Sequence, residues 1–285
     1  MCPIARQRFA HRVCLCAVLL IAGGIALPSA YTADLESGLR AYKSGDYATA
    51  RAELLPLAER GDVEAQLAAG VMYSNGLGVP KDYVEAASWF EKLAKKRDPR
   101  GEYNLGLLYR QGLGVPRDER MAVRLIRLAA LAEAAEAQFA LGVIYAHAQG
   151  VEQDLAEASR WYYRAAQQGY SQAQHNLALL YSEGRGVPQD YKAAASWFLK
   201  AAQQGDTSAQ YNLGVMWANG QGSAPDYVRA HAWLSQAVES EHTVIAAKAE
   251  AALAAVNQVM SDADKSQARQ LAAQLIRRPI SLHPN

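Results

Sequence analysis

Residues 173–205 read AQHNLALLYSEGRGVPQDYKAAASWFLKAAQQG, and this pattern returns every 36 residues along the chain. In each copy an aromatic residue follows the first position by eight, a Gly by thirteen and an Asp by seventeen. A fixed period of roughly 20–50 residues is typical of proteins built from stacked repeats. The pattern therefore predicts five copies over 65–242, numbered one to five: 65–100, 101–136, 137–172, 173–208 and 209–242.

Each copy divides into two predicted helices, called helix A and helix B. In copy four, Leu177, Leu180 and Tyr181 recur at helical spacing and predict helix A from Ala173 to about Ser182. The loop that follows has the form Gly-x-Gly-Val-Pro-x-Asp. Its glycines allow positive φ, its proline cannot continue the helix, and its Asp is a good N-cap for helix B.

Two further signals mark the ends of helix B. Gly169 and Gly205 predict left-handed caps at its C-terminus, whereas Arg97 and Glu133 occupy that position in copies one and two. A Glu three residues after the capping Asp gives the spacing of a capping box in two copies. The pairs with that spacing are Asp82 with Glu85 and Asp154 with Glu157.

Residues that every copy reuses are predicted to form the core, and the departures are local. Leu125 replaces the helix B tryptophan in copy two, and Ala148 replaces the first loop glycine in copy three. Ser223 and Ala224 replace Val and Pro in copy five, which predicts a looser last loop. The tryptophans predicted to be core are Trp89, Trp161, Trp197 and Trp233.

Residues 1–33 have a different composition from the repeats. Three arginines precede an apolar stretch from Val13 to Leu27, and small residues follow it. This arrangement predicts a secretory signal peptide and export to the periplasm or beyond, with no membrane span after cleavage. The alternative is an uncleaved N-terminal anchor. Without these residues the chain has 26 basic and 28 acidic residues, a net charge of −2.

The residue types that carry chemistry are sparse. All three cysteines, Cys2, Cys14 and Cys16, lie in the predicted leader, so the mature chain would have no disulfide and no thiol nucleophile. The histidines form no H-E-x-x-H, and the repeated Gly-x-Gly loops lack a Walker lysine or a dinucleotide fingerprint. We therefore expect no catalytic residue, no metal and no cofactor. No strongly basic face is evident, so nucleic acid is not an expected partner.

The segments that flank the five copies are predicted to cap the stack. Residues 34–64 contain the turn Gly45-Asp46 between two helical patterns and predict an N-terminal capping repeat. Residues 243–277 predict two C-terminal capping helices, with Ser261 as the N-cap of the second. Residues 278–285 are expected to be a frayed tail.

The repeated residues resemble those of the Sel-one-like repeat, whose pattern is A-x-x-x-L-G-x-x-Y-x-x-G-x-G-V-x-x-D-x-x-x-A-x-x-W-x-x-x-A-A-x-x-G. The N-terminal capping repeat resembles the related tetratricopeptide repeat through Gly38, Gly45-Asp46-Tyr47 and Ala50. The resemblance implies an all-α fold, a right-handed α-solenoid of antiparallel helix pairs. It also implies that the chain is a bacterial exported protein of the tetratricopeptide-repeat-like superfamily.

In the tetratricopeptide relatives, one face of helix A lines a concave groove that binds peptides. The positions of helix A that change between copies are candidates for such a groove here. Asn104, Asn176 and Asn212 are added because they match the Asn of the relatives' Y-N-L-G motif. The alternative is that these side chains pack against the neighbouring repeat. The candidate residues are Tyr103, Asn104, Arg110, Phe139, His147, His175, Asn176, Glu183, Tyr211 and Asn212.

The function expected from these patterns is a non-enzymatic scaffold that binds a protein or peptide partner in the cell envelope, in assembly, secretion or signalling. A subunit of a secretion or exopolysaccharide complex is one form of it. The alternative is an envelope enzyme such as a weak β-lactamase or a peptidoglycan-active hydrolase. A cysteine-rich branch of the family has been associated with β-lactam hydrolysis, but the mature chain would lack those cysteines.

Overall fold

The computed structural model describes residues 29–276, and the surroundings of the side chains from 35 to 275. The predicted tail 278–285 and most of the predicted leader lie outside the described residues. Over the described part the chain is all-helical, with short loops between consecutive helices. The helices are α1 Ser29–Ser44, α2 Tyr47–Glu59, α3 Val63–Asn75, α4 Tyr83–Lys95, α5 Pro99–Gln111, α6 Glu119–Leu131, α7 Ala135–Ala146, α8 Leu155–Gln167, α9 Ser171–Glu183, α10 Tyr191–Gln203, α11 Thr207–Asn219, α12 Tyr227–Val238, α13 Thr243–Val259 and α14 Asp262–Ile276.

The helices are paired as in an α-solenoid. They form two compact units, and the first unit ends at Ala129 and the second begins at Ala130. In the first unit, Phe90 and Leu93 of α4 pack with Leu105 of α5 in one buried cluster. In the second unit, the same kind of contact recurs between the helix B of one copy and the helix A of the next. There, Tyr162 of α8 packs with Leu177 of α9, and Phe198 of α10 packs with Leu213 of α11.

Helix A begins two residues earlier than the sequence pattern predicts. In copy four it runs from Ser171 to Glu183 rather than from Ala173 to about Ser182. In copies one, two and five a second set of aspartates caps this earlier start: Asp62, Asp98 and Asp206 accept backbone N–H groups in the first turns of α3, α5 and α11. In copy four Tyr170 precedes the helix without a side-chain cap. The aspartates lie before the first position of the repeat pattern, so the pattern alone did not reveal them.

The predicted N-caps of helix B are confirmed, but the capping boxes are wrong. Each loop Asp accepts from the first turn of its helix, as when Asp154 accepts the N–H of Glu157 at 2.8 Å. The reciprocal bond is absent because the N–H of the Asp already donates across the loop to the carbonyl of the aromatic residue at position eight. Those donations are Asp82 to Tyr73, Asp118 to Tyr109, Asp154 to Tyr145, Asp190 to Tyr181 and Asp226 to Trp217, at 2.9–3.0 Å.

Three residues other than glycine adopt the left-handed conformation that the repeat requires. Gly169 and Gly205 end helix B with φ near 89° and 88°, as predicted. Arg97 and Glu133 occupy the same position with φ of 59° and 64°, and Ala148 has φ of 56° in the first loop position. The backbone therefore keeps the left-handed conformation where another residue replaces glycine. That conformation is strained for a residue with a Cβ atom.

We expect Glu133→Gly to stabilise the protein by up to about 1 kcal/mol, because it removes the strain of a left-handed non-glycine residue. The gain is reduced by the greater freedom of glycine in the unfolded chain. The Glu133 carbonyl keeps its hydrogen bond from Gln168 Nε2 at 3.0 Å in the variant. Chemical denaturation of the two proteins measures the difference. A loss of stability beyond experimental error would contradict the strain argument.

Three of the four tryptophans predicted to form the core are buried, and the aromatic residues eight positions into each copy are half-buried. Trp89, Trp161 and Trp233 are almost fully inaccessible, and Trp197 is half-buried. In four copies a glycine of helix A allows a large side chain of helix B to approach so closely that a Cβ atom would overlap with it. Copy four has Ala178 at that position. The close pairs are Gly70 with Phe90, Gly106 with Ile126, Gly142 with Tyr162 and Gly214 with Leu234.

The flanking segments form helix pairs in the structure. The Gly45-Asp46 turn separates α1 from α2, and Asp46 caps α2 through the N–H of Thr49. At the other end, Ser261 and Asp264 exchange hydrogen bonds at the start of α14. Val256 of α13 packs against α12 in a buried cluster to which α14 also contributes. No helix within residues 29–276 has both the length and the apolar composition to cross a membrane.

Candidate functional site

The candidate residues of the first unit all lie on α5, but they differ in accessibility. Tyr103 and Arg110 are half-buried and lie seven residues apart, so they are on one face of the helix. Asn104 is only 6% exposed, and its Nδ2 donates to the carbonyl of Arg100 at 2.8 Å. Its Oδ1 is buried without a hydrogen-bond donor. The face of α5 that is open to a ligand therefore consists of Tyr103 and Arg110.

Arg110 is a half-buried cation without a carboxylate partner among the described residues. Burial lowers the pKa of its guanidinium, and the nearby Tyr103 opposes that change. A partly desolvated guanidinium usually pairs with an acid, because its charge is otherwise unfavourable in low dielectric. The corresponding helix A positions carry no charge: they are Ser74, Ala146, Ser182 and Ala218.

Two aromatic candidates of the second unit are used in packing. The Phe139 ring lies 5.8 Å from the ring of Tyr162 and 5.0 Å from that of Tyr170, measured between centroids. Tyr211 packs against the buried cluster formed with Leu234 and Val256. These contacts match the alternative in which helix A residues pack against neighbouring helices, and they leave only part of each ring accessible.

The candidates on α9 also make internal contacts. His175 lies with its ring 5.5 Å from that of Phe198, and its Nδ1 is 3.3 Å from Oδ1 of Asp206. Burial raises the pKa of Asp206, but the contact with His175 and the backbone N–H groups outweigh it, so the pKa is lowered overall. Burial raises the pKa of Tyr162 to about 12, against the opposing effect of a hydrogen bond from Asn176.

The remaining candidates are more accessible. His147 is exposed at the end of α7, and Asn212 is half-buried on α11. Glu183 is exposed and pairs with Arg185, with Oε2 and Nη1 separated by 3.0 Å. Phe139 and Asn176 both contact Tyr162, whereas Glu183 pairs with Arg185, which is not a candidate.

In four of the five copies the second position is a buried glutamine, which the repeat pattern alone did not reveal. Its side-chain amide donates to the carbonyl eight residues earlier, in the last turn of the preceding helix B, at 3.1–3.2 Å. Its Oε1 accepts from a residue thirty positions later in three copies. The bond therefore links successive helix pairs. The four donors and acceptors are Gln66 to Ala58, Gln138 to Ala130, Gln174 to Ala166 and Gln210 to Ala202.

Copy two has Glu102 in place of that glutamine. The side chain is 6% exposed and has no hydrogen bond or ion pair within the described part of the chain. Burial raises the pKa of Glu102, and the charge of Asp98 raises it further, while Arg97 lowers it. An ionised carboxylate cannot donate to the Ala94 carbonyl that the repeat would place opposite it. The recurrence of Gln at this position in the other four copies was the sequence feature that could have revealed this hydrogen bond.

The arrangement of the described residues offers surfaces for recognition. They contain no group of three or more His, Cys, Asp or Glu side chains that could hold a metal ion. The recurring aspartates bind backbone N–H groups at helix starts, and three of the four recurring tryptophans are buried. In the first unit the guanidinium of Arg110 is half-buried without a carboxylate partner among the described residues.

Comparison with known proteins agrees with this architecture. The Sel1 repeat profile matches residues 63–98, 99–133, 135–170, 171–206 and 207–242. A Sel1 repeat protein from Oxalobacter formigenes is 32% identical, with a TM-score of 0.72, over 85% of this chain and 99% of that one. A protective antigen with an SLR fold from uropathogenic Escherichia coli is 25% identical, with a TM-score of 0.48, over 87% of this chain and 68% of that one. No curated protein matches significantly. The chain belongs to the Sel1 repeat family.

Proposed function

We propose that the chain is an exported scaffold of the bacterial cell envelope that binds a protein partner through Arg110 and Tyr103 of α5. The observation that carries this proposal is the half-buried Arg110 guanidinium, which has no carboxylate partner among the described residues. A peptide carboxylate would form charge-assisted hydrogen bonds with it, and the Tyr103 ring offers adjoining aromatic surface. Envelope assembly, secretion and signalling are the processes in which we place such a scaffold.

The Sel1 repeat scaffold supports this proposal at the level of the fold, because stacked helix pairs present an extended surface to other proteins. The export of the chain is proposed from the arginines and the apolar stretch within residues 1–33. Cell fractionation, with N-terminal sequencing of the recovered chain, tests that part. A full-length chain in the cytosolic fraction would contradict it.

The binding proposal is tested by photo-crosslinking in cells. A photoreactive amino acid placed at Gln111, which is exposed one residue from Arg110, reports on any protein bound there. We expect a discrete protein adduct that falls roughly tenfold in Arg110→Ser, since a charge-assisted contact contributes about that factor. Serine is the residue at this position in copies one and four.

The matched control is Arg185→Ser, which removes an exposed arginine already paired with Glu183. We expect the adduct to persist in that variant. An adduct of equal yield in Arg110→Ser, or the absence of any protein adduct at Gln111, would overturn the proposal.

A further inference from the structure

Copy two also departs from the repeat on the exposed side of helix B. In copy three, Glu157 accepts from Trp161 Nε1 at 2.9 Å and from Arg160 Nη1 at 3.0 Å. The guanidinium of Arg164 lies over the Trp161 ring, 4.6 Å from its centroid. Glu157, Trp161 and the two arginines of this surface therefore have their interaction partners within the chain.

The equivalent residues of α6 cannot form these contacts. Met121 stands where copy three has Glu157, and Leu125 stands where it has Trp161. Arg124 corresponds to Arg160 and is exposed, with no ion pair among the described residues. Leu128 replaces the arginine above the ring and is 43% exposed.

A second unpaired arginine lies one turn before Arg124 on the same face. Arg120 is exposed and has no carboxylate partner within the described residues. Its neighbour Glu119 pairs with Arg117 instead. Arg120, Arg124 and Leu128 follow one another at intervals of four residues, so they form a continuous line along the helix. We call these three residues the α6 strip. The opposite side of α6 faces α5, where Ile126 packs against Gly106.

We propose that the α6 strip docks an acidic amphipathic segment of a protein partner. The partner's carboxylates would bind Arg120 and Arg124, and an apolar side chain would cover Leu128. Charge complementarity favours this partner, because copy three has its own carboxylate, Glu157, beside Arg160, whereas copy two has Met121 beside Arg124. Arginine favours this role because its planar fork matches a carboxylate. The site lies beyond the proposed function, since it involves neither Arg110 nor Tyr103.

The test places a photoreactive amino acid at Leu128 in the full-length chain and identifies the crosslinked segment by mass spectrometry. We expect a protein adduct whose crosslinked segment contains at least two acidic residues about one helical turn apart. The yield should fall roughly tenfold or more in the double variant Arg120→Ser with Arg124→Ser.

A second variant distinguishes a lost contact from a damaged fold. Met121→Glu restores the acid of copy three, three residues before Arg124, and should pair with that arginine within the chain. We expect it to reduce the adduct while leaving the thermal midpoint unchanged or slightly raised. Arg160→Ser removes an arginine of copy three that already pairs with Glu157, and it should leave the adduct unchanged.

Four results would overturn the proposal. They are the absence of a protein adduct at Leu128, a crosslinked segment without acidic residues, an adduct that persists in Met121→Glu, and a lipid adduct in place of a protein. For the last case, sedimentation with vesicles containing phosphatidylglycerol gives an independent reading. Vesicle binding that depends on Arg120 and Arg124 would assign the α6 strip to a membrane surface instead.

Discussion

Replacing Gly186 by Ala is expected to destabilise the protein by about 2–5 kcal/mol. Gly186 is the second loop glycine of copy four, with φ of 74°. A Cβ atom there would overlap with the backbone of Leu155, the first residue of helix B in the preceding copy. The substitution therefore combines left-handed strain with a separation of two adjacent repeats, and neither the backbone of Leu155 nor the loop can relieve both.

The matched control is Gly169→Ala. Gly169 has φ of 89°, but no atom lies within 4 Å of the position that its Cβ would occupy. This variant should lose only about 1–2 kcal/mol, the strain of a left-handed residue. Thermal and urea denaturation of both variants separates the two contributions. Equal losses in the two variants would show that the contact with Leu155 has no energetic role.

The substitution Glu102→Gln is expected to stabilise the protein by about 1–2 kcal/mol at neutral pH. The new amide can donate to the Ala94 carbonyl, as four glutamines do at equivalent positions. It also removes an acidic side chain that is 6% exposed and has no hydrogen bond or ion pair among the described residues. We expect the thermal midpoint to rise by roughly 2–4 °C for each kcal/mol. An unchanged or lower midpoint would contradict the equivalence of the five positions.

The pH dependence of this gain has a defined sign. The pKa of Glu102 is raised in the folded chain, first by burial and then by Asp98, so the folded state holds the proton more tightly than the unfolded state. The contribution of Glu102 to stability is therefore full below the ordinary glutamate pKa and is lost as pH rises through the folded pKa. The advantage of Glu102→Gln should be small near about pH 4 and largest near about pH 7. A gain that is the same at both pH values would contradict the raised pKa.

The fold could be predicted from the sequence because each shared position appears in several copies of the repeat. The loop aspartates and the buried tryptophans could be assigned in this way, since a residue present in each copy must serve the scaffold. The start of helix A was missed because Asp62, Asp98 and Asp206 have no counterpart in copies three and four, where Ala134 and Tyr170 precede the helix. The capping boxes were wrong because spacing along one helix cannot show that the N–H of Asp154 donates to Tyr145 across the loop.

The candidate site was harder to predict from the sequence, because its residues differ between the copies. Helical spacing placed Tyr103, Phe139 and Tyr211 at one repeat position. It could not show that Phe139 packs on Tyr162 and Tyr170, or that Tyr211 joins the cluster with Val256. The unpaired state of Arg110 depends on what surrounds it in three dimensions.

We propose a division of roles: the shared residues stabilise the solenoid, and the departures in copy two bind the partner. The most direct test of this division measures the thermal midpoint of Arg110→Ser and the yield of its protein adduct at Gln111. We expect the midpoint to stay the same or rise, because a half-buried arginine without a carboxylate among the described residues is removed, and the adduct to be lost. A fall in the midpoint with an undiminished adduct would contradict this division of roles.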